Sequence, residues 1–296
     1  MTAEWQGTYT ALVTPFTADG AIDEGRLRGL VDFQLEGGVE GIVPCGTTGE
    51  GATLEPEEQA RVVGIVKSQA GDRGRVIAGA GGNSTRAVIA LARRHREAGA
   101  DAILSVVPYY NKPSPEGMRR HFEAVADSLD VPVVLYNVPG RTSANMRAET
   151  TLRLAEHPNV CAVKEASGDL VQVAEILRGR PQGFRVLSGE DNLTLPLIAL
   201  GGDGVISVVS NEVPGPMSEL VRAAMAGDFA KARAAHYRLL GLMNANFCET
   251  NPQPVKAALA MMGRIEEYLR LPLVPLSEPL RPGLRRHLVE LGLVEG

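Results

Sequence analysis

Val160-Cys161-Ala162-Val163-Lys164-Glu165-Ala166-Ser167-Gly168-Asp169 is the stretch whose reading decides the fold. Its apolar residues run on without alternation, as expected of a parallel strand covered on both faces. The run ends on a lysine, a residue that prefers water and is costly to bury without a partner. Taken alone, such a lysine snorkels from the strand end into solvent. Held in a dry pocket, it has another use: a desolvated amine sheds its proton and becomes a nucleophile toward carbonyls.

Working outward, seven further runs share this character. They are Ala11-Leu12-Val13-Thr14, Gly41-Ile42-Val43-Pro44, Val76-Ile77-Ala78-Gly79, Ala102 to Val107, Val133 to Asn137, Arg185-Val186-Leu187-Ser188 and Gly204-Val205-Ile206-Ser207. Helix-patterned segments lie between them. Asp23 precedes Arg26 to Glu36, which closes on Gly37-Gly38, and Pro56 opens a helix reaching Ala70. Ser114-Pro115 reads as an N-cap with Pro at the first helical position of a helix through Ser128. The predicted strand ends fall 19 to 35 residues apart, about one βα unit each. Eight such units predict a (β/α)8 TIM barrel, with an open doubly wound sheet as the runner-up. Beyond the last barrel helix, Pro214 to Ala226, the pattern is purely helical: Asp228 to Cys248, Pro254 to Met262 and Pro282 to Leu291. The division predicted is a catalytic barrel over residues 1–226 and a helical C-terminal extension over 227–296.

Composition narrows the class. With 44% hydrophobic and 22% charged residues the chain is expected to pack a core. Its 30 basic against 35 acidic side chains, net charge −5, argue against nucleic-acid binding. Met1 to Gly7 lacks a basic and apolar leader, and no apolar stretch reaches membrane-spanning length, so a cytoplasmic protein is expected. Cys45, Cys161 and Cys248 are too few and too scattered for a disulfide framework or a zinc site. Cys45 and Cys161 read as small buried hydrophobes; His95, His121 and His157 read as solvated positions on amphipathic helices. No metal-binding spacing appears, and no cofactor is expected.

Barrel active sites form at the C-terminal ends of the strands, which gathers scattered motifs at one rim. There stand Gly46-Thr47-Thr48-Gly49-Glu50-Gly51, Pro108-Tyr109-Tyr110-Asn111-Lys112, Tyr136-Asn137-Val138-Pro139-Gly140-Arg141-Thr142 and Lys164. Tyr136 and Lys164, on neighbouring strands, are expected within reach of each other. An amine condensing with a ketone needs protons moved on and off the carbinolamine oxygen. A tyrosine hydroxyl, chained to a threonine and a second tyrosine, relays them. The Gly-Thr-Thr-Gly-Glu turn offers backbone N–H groups and hydroxyls to a carboxylate, and Arg141 can hold a second one bidentately. Each element also has a plainer reading: a tight turn, tyrosines packed over a loop, a surface arginine.

Together these motifs, with Val163-Lys164-Glu165-Ala166-Ser167-Gly168, stand in the order of a known family. The chain resembles the pyruvate-dependent class I aldolases that share the N-acetylneuraminate lyase fold. Within them, Pro-Gly-Arg-Thr after Tyr-Asn resembles the dihydrodipicolinate synthase family, which opens the lysine branch of diaminopimelate synthesis. The similarity runs from about Thr8 to Asn251-Pro252-Gln253-Pro254-Val255-Lys256. It implies that Lys164 forms a Schiff base with pyruvate, whose enamine attacks L-aspartate-4-semialdehyde. It implies a relay of Tyr136, Thr47 and Tyr110, the last contributed by a neighbouring subunit. Thr48 would bind the pyruvate carboxylate and Arg141 that of the semialdehyde, with Ile206 and Gly189 at the substrate and Ile206 offering its carbonyl. A homotetramer, a dimer of dimers, is implied. Lysine-inhibited members carry two histidines and a glutamate where this chain has Pro56, Gln59 and Ala87. Asn83 and Tyr109 remain as vestiges of that site, so lysine is expected to inhibit weakly or not at all. A sugar-acid aldolase (acting on N-acetylneuraminate or a 2-keto-3-deoxy acid) would use the same lysine and tyrosine but resembles this chain less after Tyr136-Asn137. A non-catalytic keto-acid-binding barrel would not require either residue.

Overall fold

A computed structural model describes residues 5–296, so the Met1 to Glu4 part of the leader reading lies outside the described residues. Eight parallel strands pair in sequence order and close into a barrel: β1 (Gly7–Ala11), β2 (Gly41–Val43), β3 (Arg75–Gly79), β4 (Ala102–Val106), β5 (Val133–Asn137), β6 (Val160–Glu165), β7 (Arg185–Ser188) and β8 (Gly204–Ser207). Around it lie α1 (Glu24–Glu36), α2 (Pro56–Ala70), α3 (Thr85–Glu97), α4 (Pro115–Asp127), the single turn α5 (Pro139–Thr142), α6 (Ala148–Ala155), α7 (Leu170–Gly179), α8 (Thr194–Ala199) and α9 (Pro214–Met225). Three C-terminal helices follow: α10 (Phe229–Ala245), α11 (Gln253–Met261) and α12 (Arg281–Glu290). The fold is the expected TIM barrel with a helical extension. Among the described residues no helix is long and apolar enough to cross a membrane.

Local chemistry starts these helices where the punctuation predicts. Asp23 and Ser114 accept from the backbone N–H of Arg26 at 3.0 Å and Gly117 at 3.2 Å, and Asp228 does the same for Lys231 at 3.0 Å. Glu55 and Glu58 form a capping box ahead of α2.

The two-residue period of a strand sorts side chains between barrel interior and helical layer. Val134 and Tyr136, with Ala162, Leu187, Tyr9 and Ile206, form the interior cluster, whereas Val133, Leu135 and Val163 pack outward against helices. Lys164 follows Ala162 at a spacing of two and therefore shares the inward face.

The structure corrects four readings. β1 spans Gly7–Ala11 rather than Ala11 to Thr14. Its outward face is polar: Thr10 Oγ1 donates to Gln34 Oε1 at 2.7 Å and accepts from Ser210 Oγ at 2.9 Å, so hydrophobicity did not mark it as a strand. His95 and His121 are buried, not solvated. Desolvation lowers each imidazole from 6.5 to about 4, which keeps both neutral at physiological pH. His157 is only partly exposed, its Nε2 lying 3.0 Å from Asp127 Oδ1. Cys161 is half-buried near the start of β6, where the register with β5 shifts at Val133/Val134, and its Sγ lies 3.6 Å from the Val133 carbonyl oxygen.

Candidate active site

At the C-terminal rim the ladder between β5 and β6 places Tyr136 directly opposite Lys164. The Lys164 Nζ lies 4.4 Å from the centroid of the Tyr136 ring. Both residues are buried, Lys164 to 5% exposure and Tyr136 to 8%. Lys164 does not snorkel: it stands in a cavity of about 520 Å³ whose wall includes Thr47, Thr48, Arg141 and Gly189. Among the described residues Lys164 has no hydrogen bond or ion pair. Its amine stands against an aromatic face at the cavity, beside a phenol able to carry protons.

The turn after β2 is shaped by close approach. A Cβ at Gly49 would lie 2.9 Å from the Cys45 nitrogen and the Leu12 carbonyl, and one at Gly51 would lie 2.2 Å from the Cys45 carbonyl oxygen. Cys45 and Glu50 hold positive φ angles of 57° and 53°. Cys45 is buried, and burial alone pushes its thiol up, which disqualifies it as a nucleophile. The turn presents Thr47 to the cavity and buries Thr48 to 2% exposure.

Three residues that the sequence reading did not single out hold this arrangement. Asn251 donates from Nδ2 to Thr48 Oγ1 at 3.0 Å, and its carbonyl accepts from Arg141 Nη2 at 3.4 Å. Glu50, at the end of the turn, forms a fully buried ion pair with Lys256 of α11 and accepts from the Arg270 backbone N–H at 3.1 Å. The C-terminal extension thus clamps the two segments that carry Thr48 and Arg141. A charged residue inside the otherwise apolar stripe of α11 was the available signal for Lys256.

Gly189 follows β7, and a Cβ there would lie 2.5 Å from Ala166 Cβ and 3.1 Å from Lys164 Cε, so a side chain at this position would crowd the lysine's wall. Ile206 sits in the interior cluster one layer below, and Val208 forms the cavity wall on the β8 side. Tyr109 lines an adjoining apolar pocket of about 360 Å³, which shares Thr47, Tyr136 and Arg141 with the first. Tyr110 lines neither pocket: it projects into solvent, 89% exposed, with a positive φ of 71°. Asn83 lies at the surface, its carbonyl accepting from Asn111 Nδ2 at 2.9 Å. Gln59, in place of an expected lysine-binding histidine, donates to the carbonyls of Gly51 at 2.9 Å and Leu54 at 3.1 Å. It props the turn.

Carboxylates gather behind the lysine. Glu165 points to the outer face of β6 and accepts from Ser167 N at 2.8 Å, Gln172 Nε2 at 3.0 Å and Asn137 Nδ2 at 3.1 Å; burial nevertheless raises its carboxyl above the usual range. Asp191 is buried too and accepts the backbone N–H groups of Val208 and Val209 at 3.0 and 2.8 Å, with burial again dominant in raising it. Glu190, half-buried, lines the cavity itself.

Residues 4–291 match the model of the Dihydrodipicolinate synthetase family. The chain is 53% identical over 293 residues to the 4-hydroxy-tetrahydrodipicolinate synthase of Chloroherpeton thalassium, covering 99% of this chain and 97% of that one. It superposes on a crystal structure of dihydrodipicolinate synthase with a TM-score of 0.95 at 50% identity, covering 98% and 100% of the two chains. A structure described as the first monomeric dihydrodipicolinate synthase variant matches with a TM-score of 0.96 at 43% identity, over 98% and 97%.

Proposed function

The chain belongs to the dihydrodipicolinate synthetase family, and on that premise we propose that it condenses pyruvate with L-aspartate-4-semialdehyde through a Schiff base on Lys164. The observation that carries this reading is the pairing of Tyr136 with Lys164 across β5 and β6, with the amine 4.4 Å from the ring centroid and free of any ion pair among the described residues. The enzyme is a lyase of the class I aldolase type in lysine biosynthesis.

In the proposed sequence the neutral Lys164 amine attacks C2 of pyruvate. Tyr136 hands a proton to the resulting carbinolamine oxygen, which leaves as water and yields the imine. Thr47 links Tyr136 to Tyr110 in the relay, and Thr48 holds the pyruvate carboxylate. Loss of a C3 proton gives the enamine, whose C3 forms the new carbon–carbon bond to the aldehyde carbon. Arg141, an exposed residue on the cavity wall, holds the semialdehyde carboxylate; its Nη2 also donates to the Asn251 carbonyl at 3.4 Å. The semialdehyde ammonium loses a proton, its neutral nitrogen attacks the imine carbon and closes the ring, and a second proton passes to Lys164, which leaves as the amine. One water leaves overall, and no cofactor is required.

Tyr110 supports a further part of the proposal. Tyr110 holds a left-handed backbone conformation and is 89% exposed among the described residues. It is therefore suited to completing a neighbour's relay, in a homotetramer built as a dimer of dimers acting in the cytoplasm. With Gln59 committed to the turn and Pro56 and Ala87 offering no charge, lysine is proposed to inhibit weakly or not at all.

The decisive experiment is borohydride reduction in the presence of pyruvate, followed by peptide mass analysis and a coupled turnover assay with the semialdehyde. A pyruvate-derived adduct on Lys164 with turnover is expected. Absence of the adduct would sink the mechanism. Undiminished semialdehyde turnover by Arg141→Ala would remove the assigned substrate contact.

A further inference from the structure

L-Aspartate-4-semialdehyde carries two charges on one carbon, and the proposed mechanism gives a partner to only one of them. Its carboxylate meets Arg141; its ammonium has no assigned acceptor. A desolvated ammonium left unpaired in a cavity is strongly disfavoured, so the site must supply an anion or discriminate against its own substrate.

The acidic side chains near Lys164 differ in how far they are already committed. Glu165 is turned to the helical layer and accepts from three partners. Asp191 is enclosed and accepts two backbone N–H groups. Glu249 reaches the cavity wall, but its carboxylate accepts from both the backbone N–H and the hydroxyl of Ser277. Glu190 also lines the cavity, and its carboxylate has no hydrogen-bond or ion-pair partner among the described residues. Its backbone is held firmly: the Glu190 N–H donates to Ser188 Oγ at 3.2 Å, and its carbonyl accepts from Ser188 Oγ at 2.7 Å and Thr194 Oγ1 at 3.2 Å.

Position fits as well. Arg141 follows β5 and Glu190 follows β7, the two strands that flank the one bearing Lys164. With strands ~4.8 Å apart, their backbones stand roughly 10 Å from each other across the amine. A tetrahedral carbon holding an ammonium and a carboxylate, two bonds beyond an aldehyde at the enamine, spans such a gap once both side chains reach inward. We propose that Glu190 is the specificity-determining residue of this site, accepting the ammonium of the amino-aldehyde opposite Arg141. The inference rests on the function proposed above. Burial, then Asp191 and Glu165, raise the Glu190 carboxyl above its usual range, with Lys164 opposing; an arriving cation relieves that repulsion.

Glu190→Gln keeps the shape and removes the charge, and Glu190→Asp keeps the charge on a shorter arm. The test measures kcat/KM for L-aspartate-4-semialdehyde and, in the same variants, the inhibition constant of succinic semialdehyde, the same chain without its ammonium. Glu190→Gln is expected to lower kcat/KM for the amino-aldehyde at least about tenfold. The succinic semialdehyde constant and the KM for pyruvate should stay within about twofold, and Glu190→Asp should recover part of the loss. Equal weakening of both aldehydes, or no change for the amino-aldehyde, overturns the proposal. If the wild-type chain forms the pyruvate adduct yet does not turn over aspartate semialdehyde, the proposed function fails first and this inference with it. Turnover that is indifferent to Glu190→Gln overturns only the inference.

Discussion

Two lysines are buried in this molecule, and they are put to opposite uses. Lys164 and Lys256 each lie against an aromatic ring, 4.4 Å from the Tyr136 centroid and 4.3 Å from that of Phe16. Lys256 is fully enclosed: it pairs with Glu50 and donates to the Tyr268 carbonyl at 2.9 Å. Burial draws its ammonium down to about 8 against the opposing pull of Glu50. Lys164 opens onto a cavity and has no such partner among the described residues. A buried lysine held by a counter-charge and a carbonyl is architecture, whereas one without a partner at a cavity is available for chemistry. The two are coupled, since the turn that Lys256 anchors through Glu50 carries Thr47 and Thr48.

The contrast can be broken by exchanging the roles. Lys164→Ala should lower kcat/KM roughly a thousandfold and abolish the reducible pyruvate adduct. Its urea midpoint should be unchanged or higher, because a buried polar group with no hydrogen bond or ion pair among the described residues has been removed. If that variant unfolds as readily as the next one, the distinction between the two lysines is lost. Lys256→Met strands Glu50 without its counter-charge and should destabilise by about 3–5 kcal/mol in urea titration. Replacing Glu50 by Gln in the same chain should restore part of it, which a purely steric defect would not allow.

His95 sharpens the comparison as a buried titratable group with no hydrogen-bond partner on either ring nitrogen among the described residues. Its folded value of about 4 lies below the ordinary 6.5, so the unfolded chain takes up the proton first. Stability is therefore full above pH 6.5 and falls as the pH drops toward 4, by up to about 3 kcal/mol from this one residue. Urea midpoints of His95→Leu, compared between pH 7 and pH 4.5, should show a flatter decline than wild type; an identical slope would refute the assignment. Tyr110→Phe should act at the other extreme. At 89% exposure it is expected to shift stability by no more than about 0.5 kcal/mol. Its kcat should nevertheless fall roughly ten- to a hundredfold through the interrupted relay. An unchanged kcat would remove Tyr110 from the mechanism.

Much of this was legible because strands covered on both faces leave continuous apolar runs, and eight of them at βα spacing point to one architecture. β1 escaped that logic: Thr8 and Thr10 break the apolar run, and the partners that satisfy Thr10, Gln34 and Ser210, lie far away in the chain. The buried histidines escaped as well. Their helices are strongly amphipathic, but which face a neighbouring helix covers is not encoded in the period alone. Asn251 and Glu50 act across more than 200 residues of chain, a separation that no local pattern reports.

By itself the sequence determined the barrel, the shared rim of Lys164 and Tyr136, and the glycine turn after β2. These follow from apolar runs at βα spacing and from turn residues, both local signals. Only the tertiary structure decided which lysine is paired and which is left open, and which carboxylate in the cavity remains unclaimed. Those outcomes depend on desolvation and on partners drawn from distant segments, and they exist only once the chain has closed on itself.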